Sequence, residues 1–349
     1  MRHGWWAWIC VGVAGCGTAA GGNGGTGIPV GGSAGQAAQI QLALVPAEAV
    51  AVAQAQVGRL FRRSETRAGE QLLQRLVDAE EHGADVTCVF DLAETVGWAT
   101  LFYVDREGGA DGGALLLETD AEPGAIVDCL RRASNGELAP TRAPPELSDT
   151  IVVGDPGELF AVFAREDGTV VVADARTAMA LLGPAPERTL GDDPFYRELA
   201  ARVGPGDATF AWIEREERWR DDDEPHGPTG VAGALRAGTN PPEARVVLVS
   251  PDSEEIGDVV EEFQEGRAEV RKGLEELLGS LDRVPPEAGL DRDRTSRTFD
   301  LVLQLVGRLR VVVEENAATF ELALPDGTDL PAFLADLGYS AIAWLALEN

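Results

Sequence analysis

Positive charge is scarce in this chain: 29 Lys and Arg stand against 59 Asp and Glu over 349 residues, a formal net charge of −30. That shortage weighs against a nucleic-acid partner, because phosphate binding draws on clustered cations and on the counterions they release. Anionic substrates would be repelled as well. Lysine is nearly missing, with Lys272 the single example, a bias associated with GC-rich genomes. Histidine is limited to His3, His82 and His226, which leaves few residues for general acid–base chemistry near neutral pH. No Ser lies in a nucleophile elbow, and His-Glu-x-x-His, Cys-x-x-Cys and the phosphate-binding Gly-x-x-x-x-Gly-Lys are all missing, so those reaction classes lose their usual support. Apolar runs are short too: none reaches the roughly 20 residues a helix needs to cross a hydrocarbon core. What remains is a globular composition, 44% hydrophobic and 25% charged.

The amino terminus carries the most specific pattern. Arg2 and His3 precede an apolar run over 5–15, the layout of a signal-peptide core. The run ends in Val13-Ala14-Gly15-Cys16, which resembles the lipobox of bacterial lipoproteins: a hydrophobic residue, two small ones, then the cysteine that is lipidated. The resemblance implies cleavage before Cys16, a thioether-linked diacylglycerol on its sulfur and an acyl chain, typically palmitate, on the new amino group. Several chains together anchor stably where one would not. Gly17 follows in place of the Asp that retains many such proteins at the inner membrane, so the resemblance points to the outer membrane of the cell envelope. After Cys16 the composition is almost half glycine as far as Gly35, which reads as a flexible tether. Gly22-Asn23-Gly24-Gly25-Thr26-Gly27 formally matches a dinucleotide fingerprint but lacks the flanking strand and helix that would give it meaning.

Removal of Cys10 and lipidation of Cys16 would leave Cys88 and Cys129, an even pair in an oxidising compartment. They are either a disulfide closing a loop of roughly 41 residues or two separate buried thiols acting as small hydrophobes.

Beyond the tether, alternating small and branched residues within 42–57 predict a first strand. Leu72, Leu73, Leu76 and Val77 predict a helix, and a second is expected over 85–96. One grammar then recurs four times: strand, turn, strand, helix. The copies are 98–104, 114–119 and 123–133; 159–164, 169–173 and a helix capped by Asp174; 209–213, 245–249 and a long helix from 253; and 309–313, 319–324 and a helix over 330–344. Between the second and third, Asp193, Pro194, Phe195, Leu199, Val203 and Gly204 specify a short helix with both its ends. The expected fold is α+β, two similar halves, each an antiparallel sheet with helices on one face. The expected divisions are a signal peptide over 1–15, the lipidated Cys and tether over 16–38, a first half over 39–187 and a second over 188–349. This layout, with Leu44-Val45-Pro46-Ala47 and Leu190-Gly191-Asp192-Asp193-Pro194-Phe195, resembles a broad group of exported bacterial proteins with duplicated α+β domains and no established active site.

Chemistry is harder to place. His82 sits beside Glu80 and Glu81 at a predicted helix end, where an imidazolium suits the helix dipole. Asp221, Asp222, Asp223 and Glu224, next to His226, could offer hard oxygen ligands to a divalent ion, yet lack the ligand order and glycine of an EF-hand loop, and a solvated loop is the simpler reading. Asp291-Arg292-Asp293-Arg294 reads as a self-paired loop or a helix start. No catalytic residue, metal site or cofactor is assigned. The sequence favours a non-enzymatic module that binds or scaffolds an envelope protein or polymer, with the membrane as partner through the lipid anchor. Trp98, Phe102, Trp212 and Trp219 are candidate contacts, although sheet core is the simpler expectation for the first three. Two alternatives stay open: a hydrolase of envelope polymers using paired carboxylates, and an adhesion or stability module dependent on divalent ions.

Overall fold

The structure is a computed structural model and describes residues 34–79, 84–105, 112–155, 158–214, 230–239, 241–250, 253–281 and 291–348. Cys16, His82, Trp219, the acidic stretch 221–224 and His226 lie outside the described residues. Two compact units meet along the chain between Arg197 and Glu198.

The first unit opens with helix α1 (Ala34–Leu42), strand β1 (Ala49–Ala55) and helices α2 (Val57–Leu60), α3 (Arg63–Ala79) and α4 (Thr87–Thr95). Strands β2 (Val96–Val104) and β3 (Gly112–Thr119) follow, then α5 (Pro123–Ala133), strands β4 (Pro140–Thr141), β5 (Ile151–Asp155), β6 (Glu158–Ala164) and β7 (Thr169–Asp174), and helix α6 (Ala175–Leu182). Every pairing is antiparallel, in the order β1-β2-β3-β7-β6-β5-β4. Period-two alternation sends Val153, Val162 and Val170 to one face, where Ile126 and Val127 of α5 pack on them. The alternate row, Val52, Phe102, Ala114, Ala173, Ala161 and Val152, is buried on the other face. There α1 lies against the sheet through Gln41, whose Oε1 accepts from Thr100 Oγ1 at 2.6 Å.

Helix α7 (Pro194–Val203) carries the chain into the second unit: β8 (Ala208–Ile213), β9 (Gly230–Arg236), β10 (Glu243–Val249), α8 (Ser253–Leu281), α9 (Arg292–Arg308), β11 (Arg310–Glu314), β12 (Ala317–Ala323) and α10 (Leu330–Glu348). Its strands run β8-β9-β10-β12-β11, again all antiparallel. Ile256, Val260 and Phe263 of α8 pack on Val246, Leu248, Ala318 and Phe320, with the Phe263 and Phe320 rings edge-on at 4.6 Å. At the other end of that face, Leu301 and Leu305 of α9 and Leu330, Phe333 and Leu334 of α10 cover Leu235 and Leu322. Helix α7 sits on the opposite face, where Arg236 and Arg245 donate to the carbonyls of Val203 and Arg202.

The two units repeat one topology. In each, a helix precedes three consecutive antiparallel strands on one face of the sheet, and a helix after the third strand covers the other face. The third strand then pairs with the second member of a later hairpin, β7 of β6–β7 in one unit and β12 of β11–β12 in the other, while β4 and β5 extend the first sheet alone. The α+β class and the antiparallel sheets are those expected from the sequence.

Local signals place several elements where expected. Asp174 Oδ1 accepts from Arg176 N and Thr177 N at 3.0 Å, capping α6. Asp193 Oδ1 accepts from Phe195 N and Tyr196 N at 2.8 and 3.0 Å, and Gly204, with φ of 76°, ends α7 in the left-handed region that favours glycine. Among the elements that depart from the sequence reading, three have a plain physical reason. Helix α1 occupies 34–42, where the tether and strand were expected to meet; its Ala and Gln residues are good helix formers, and strand alternation begins only at Ala49. Strand β9, Gly- and Ala-rich, lies inside what reads as one polar excursion between β8 and β10. Helix α9 begins at the Asp291 cap and buries Thr295 and Thr298 beside Phe299 and Leu305, so two threonines hide its apolar stripe.

Candidate functional site

Cys88 on α4 and Cys129 on α5 are joined, with Sγ atoms 2.09 Å and Cα atoms 5.5 Å apart. Asp85, just before α4, reinforces this link: its amide donates to Arg132 O at 3.0 Å and its carboxylate pairs with Arg132 Nη1 at 2.8 Å. The Thr87 hydroxyl donates to the same carboxylate, and this bond, with the Arg132 charge, holds Asp85 below the ordinary Asp value of 3.8.

The described part of the first unit also holds a cleft of about 430 Å³ lined by Gly58, Phe61, Arg62, Arg63, Ser64, Ala93 and Glu94. Its cationic wall follows from Arg59-Leu60-Phe61-Arg62-Arg63, a dense run of positive charge in a strongly acidic chain. Helix α2 ends at Leu60 and α3 starts at Arg63, so the tight connection brings the arginines to the start of α3. Arg63 is fixed by Glu70 and Asp91, each at 2.7 Å, and its guanidinium lies 5.8 Å from the Phe90 ring centre. A cleft built this way can receive a small polar group. Sequence reasoning passed over this run, and its signal was the local charge contrast.

Carboxylates with shifted acidity move in one direction. Asp85, Asp167 and Asp192 are all lowered. For Asp167, burial works against ionisation but is outweighed by hydrogen bonds from Thr169 and by Arg165. Asp192 is held down by the Thr189 backbone and hydroxyl in a capping box. Among the described residues, no group of three or more His, Cys, Asp or Glu side chains could hold a metal ion.

The aromatics divide. Trp98 and Phe102 are 7% and 1% exposed and belong to the sheet core. Trp212 does not: it is 51% exposed on β8, beside the 43% exposed Phe210. The register explains its neighbour, because Phe210 stands opposite Gly233 and its ring fills the place where a Cβ would be. Two residues along β2 from Trp98, Thr100 joins Gln41 and Gln54 in a buried polar cluster, with Gln54 Nε2 donating to Thr100 Oγ1 at 3.0 Å.

No family model matches the chain, and no curated protein matches it. Among solved structures, crystal form III of TP0453 is similar over 84% of this chain and 97% of its own, at 9% identity and a TM-score of 0.40. Crystal form I of TP0453 is similar over 85% and 96%, at 10% identity and a TM-score of 0.39. Likeness at this level carries no argument about the chain.

Proposed function

We propose that the protein is a lipid-anchored component of a bacterial cell envelope, held at the outer membrane through Cys16, and that it binds or scaffolds another envelope protein or polymer without catalysing a reaction. The observation that carries this reading is Val13-Ala14-Gly15-Cys16 at the end of an apolar run too short to span a membrane. The Cys88–Cys129 bond supports it, since disulfides persist in oxidising compartments.

Growth with labelled palmitate tests the anchor. The full chain should carry label and sediment with membranes, and Cys16→Ser should lose both properties. An unmodified product recovered from the cytosol with its leader intact would refute the reading. Pull-down from solubilised membranes tests the second part: a specific envelope component should be retained. Cleavage of a wall or surface polymer by the purified chain would put the hydrolase in its place.

A further inference from the structure

Among the described residues, strand β11 ends one edge of the second unit's sheet, and its sequence is Arg310-Val311-Val312-Val313-Glu314. It pairs with β12 on one side, with Glu314 opposite Ala317 across the two-residue turn. In a two-residue hairpin the closing pair is hydrogen-bonded, so Arg310, Val312 and Glu314 turn their N–H and C=O groups toward β12. The groups of Val311 and Val313 face outward. The strand also leaves apolar surface in water, with Val312 47% and Val313 54% exposed. Natural sheets blunt such edges. One edge of the first unit's sheet, by contrast, is blunted: β4 has two residues and begins with Pro140.

We propose that β11 is a self-association edge, on which two copies of this chain pair β11 to β11, antiparallel, about a two-fold axis through Val312. The occupant is specified by charge. The registers of β10, β12 and β11 place Arg245, Glu321 and Arg310 in one row on one face of the sheet, alternating in sign, with Arg245 and Glu321 in contact at 2.6 Å. A second β11 centred on Val312 sets its Glu314, which also lies 3.2 Å from Arg202 of its own chain, opposite Arg310 and continues that alternation into the copy. By symmetry the pair occurs twice. The same register places Val311 opposite Val313 of the copy, so the outward N–H and C=O groups of both strands meet in hydrogen-bonded pairs. Val312 meets Val312 of the copy in a non-hydrogen-bonded position, where side chains approach most closely. Hydrogen-bond parity, charge and apolar burial thus select one register. The interface is isologous, as a two-fold dimer requires. The inference goes beyond the envelope reading and stands without it.

Oxidative crosslinking of the full chain in intact cells tests it. In the proposed register the two Val312 Cα atoms are about 4.5 Å apart, within disulfide range, so Val312→Cys should give a reducible product of twice the chain mass. Val270→Cys, 52% exposed on α8, serves as the collision control and should give none. In that Val312→Cys background, Arg310→Glu alone and Glu314→Arg alone should each cut the dimer about tenfold, by putting like charges opposite each other twice. Co-expressed with different tags, these two variants should crosslink to each other at the level of the unaltered edge, because each then meets its opposite charge. Equal crosslinking by the control, a product of any other mass, no dimer at Val312→Cys, or a mixture no better than either variant alone would each overturn the proposal.

Discussion

The two units share a strand order but not a means of support. In the first, a disulfide, the Asp85–Arg132 pair and a buried polar cluster tie helices to one another and to the sheet. The second has no cysteine over 198–349; there Arg236 and Arg245 hold α7 on one face, Arg294 pairs with Asp336 between α9 and α10, and α8, α9 and α10 pack on the other face. Helix α8 shows what this leaves loose: Ile256, Val260 and Phe263 pack on the sheet, whereas Val270 is exposed. Topology follows from where apolar rows fall, and those rows recur in both units. Cross-links are local additions that one copy can carry and the other omit.

This contrast can be broken at several points. Replacing both Cys88 and Cys129 with Ser should remove about 4 kcal/mol on the chain-entropy model, confined to the first unit. Hydrogen exchange should then quicken in β2, β3 and α5 while β10 and β12 keep their protection; equal loss in both units would end the distinction. Phe320→Ala should cost about 3 kcal/mol, through the lost α8 contact and the cavity left behind, with the effect reversed between the units. Thr100→Val takes away the hydroxyl that donates to Gln41 and accepts from Gln54, and should cost about 2 kcal/mol. Denaturant midpoints of the purified full chain would measure both. The smallest effect belongs to Asp85. Its folded carboxyl is lowered from 3.8, so its contribution is complete above that pH and fades as acid carries the pH down through the folded value. Because the side chain is 35% exposed, Asp85→Asn should cost less than about 1 kcal/mol. The difference between Asp85→Asn and the unaltered chain should vanish in acid titration; a difference that grows toward low pH would contradict this assignment.

Much of the fold was legible in single segments. Asp174, Asp193 and Gly204 announce helix ends because capping uses groups within a few residues of each other. The turn at Asp167-Gly168 uses local groups in the same way: Gly168 adopts φ of 83°, and Thr169 N donates to Asp167 Oδ1 at 2.9 Å. Strand β9 was not legible, since Gly-Val-Ala-Gly-Ala-Leu-Arg has little strand preference and is held by β8 and β10 on its two sides. The candidate site was less legible still. The cleft beside Arg62 and Arg63 depends on α4 approaching from thirty residues away, and Trp212 reads like Trp98 until the sheet face it occupies is known.

By itself, the sequence determined the acidic balance, the α+β class, the duplication and most helix boundaries. Each rests on composition or on groups close along the chain. Tertiary structure alone decided that Cys88 meets Cys129, which aromatic residues are covered and which strand ends the second unit's sheet. Those outcomes depend on approaches between distant segments, and no short-range preference encodes them.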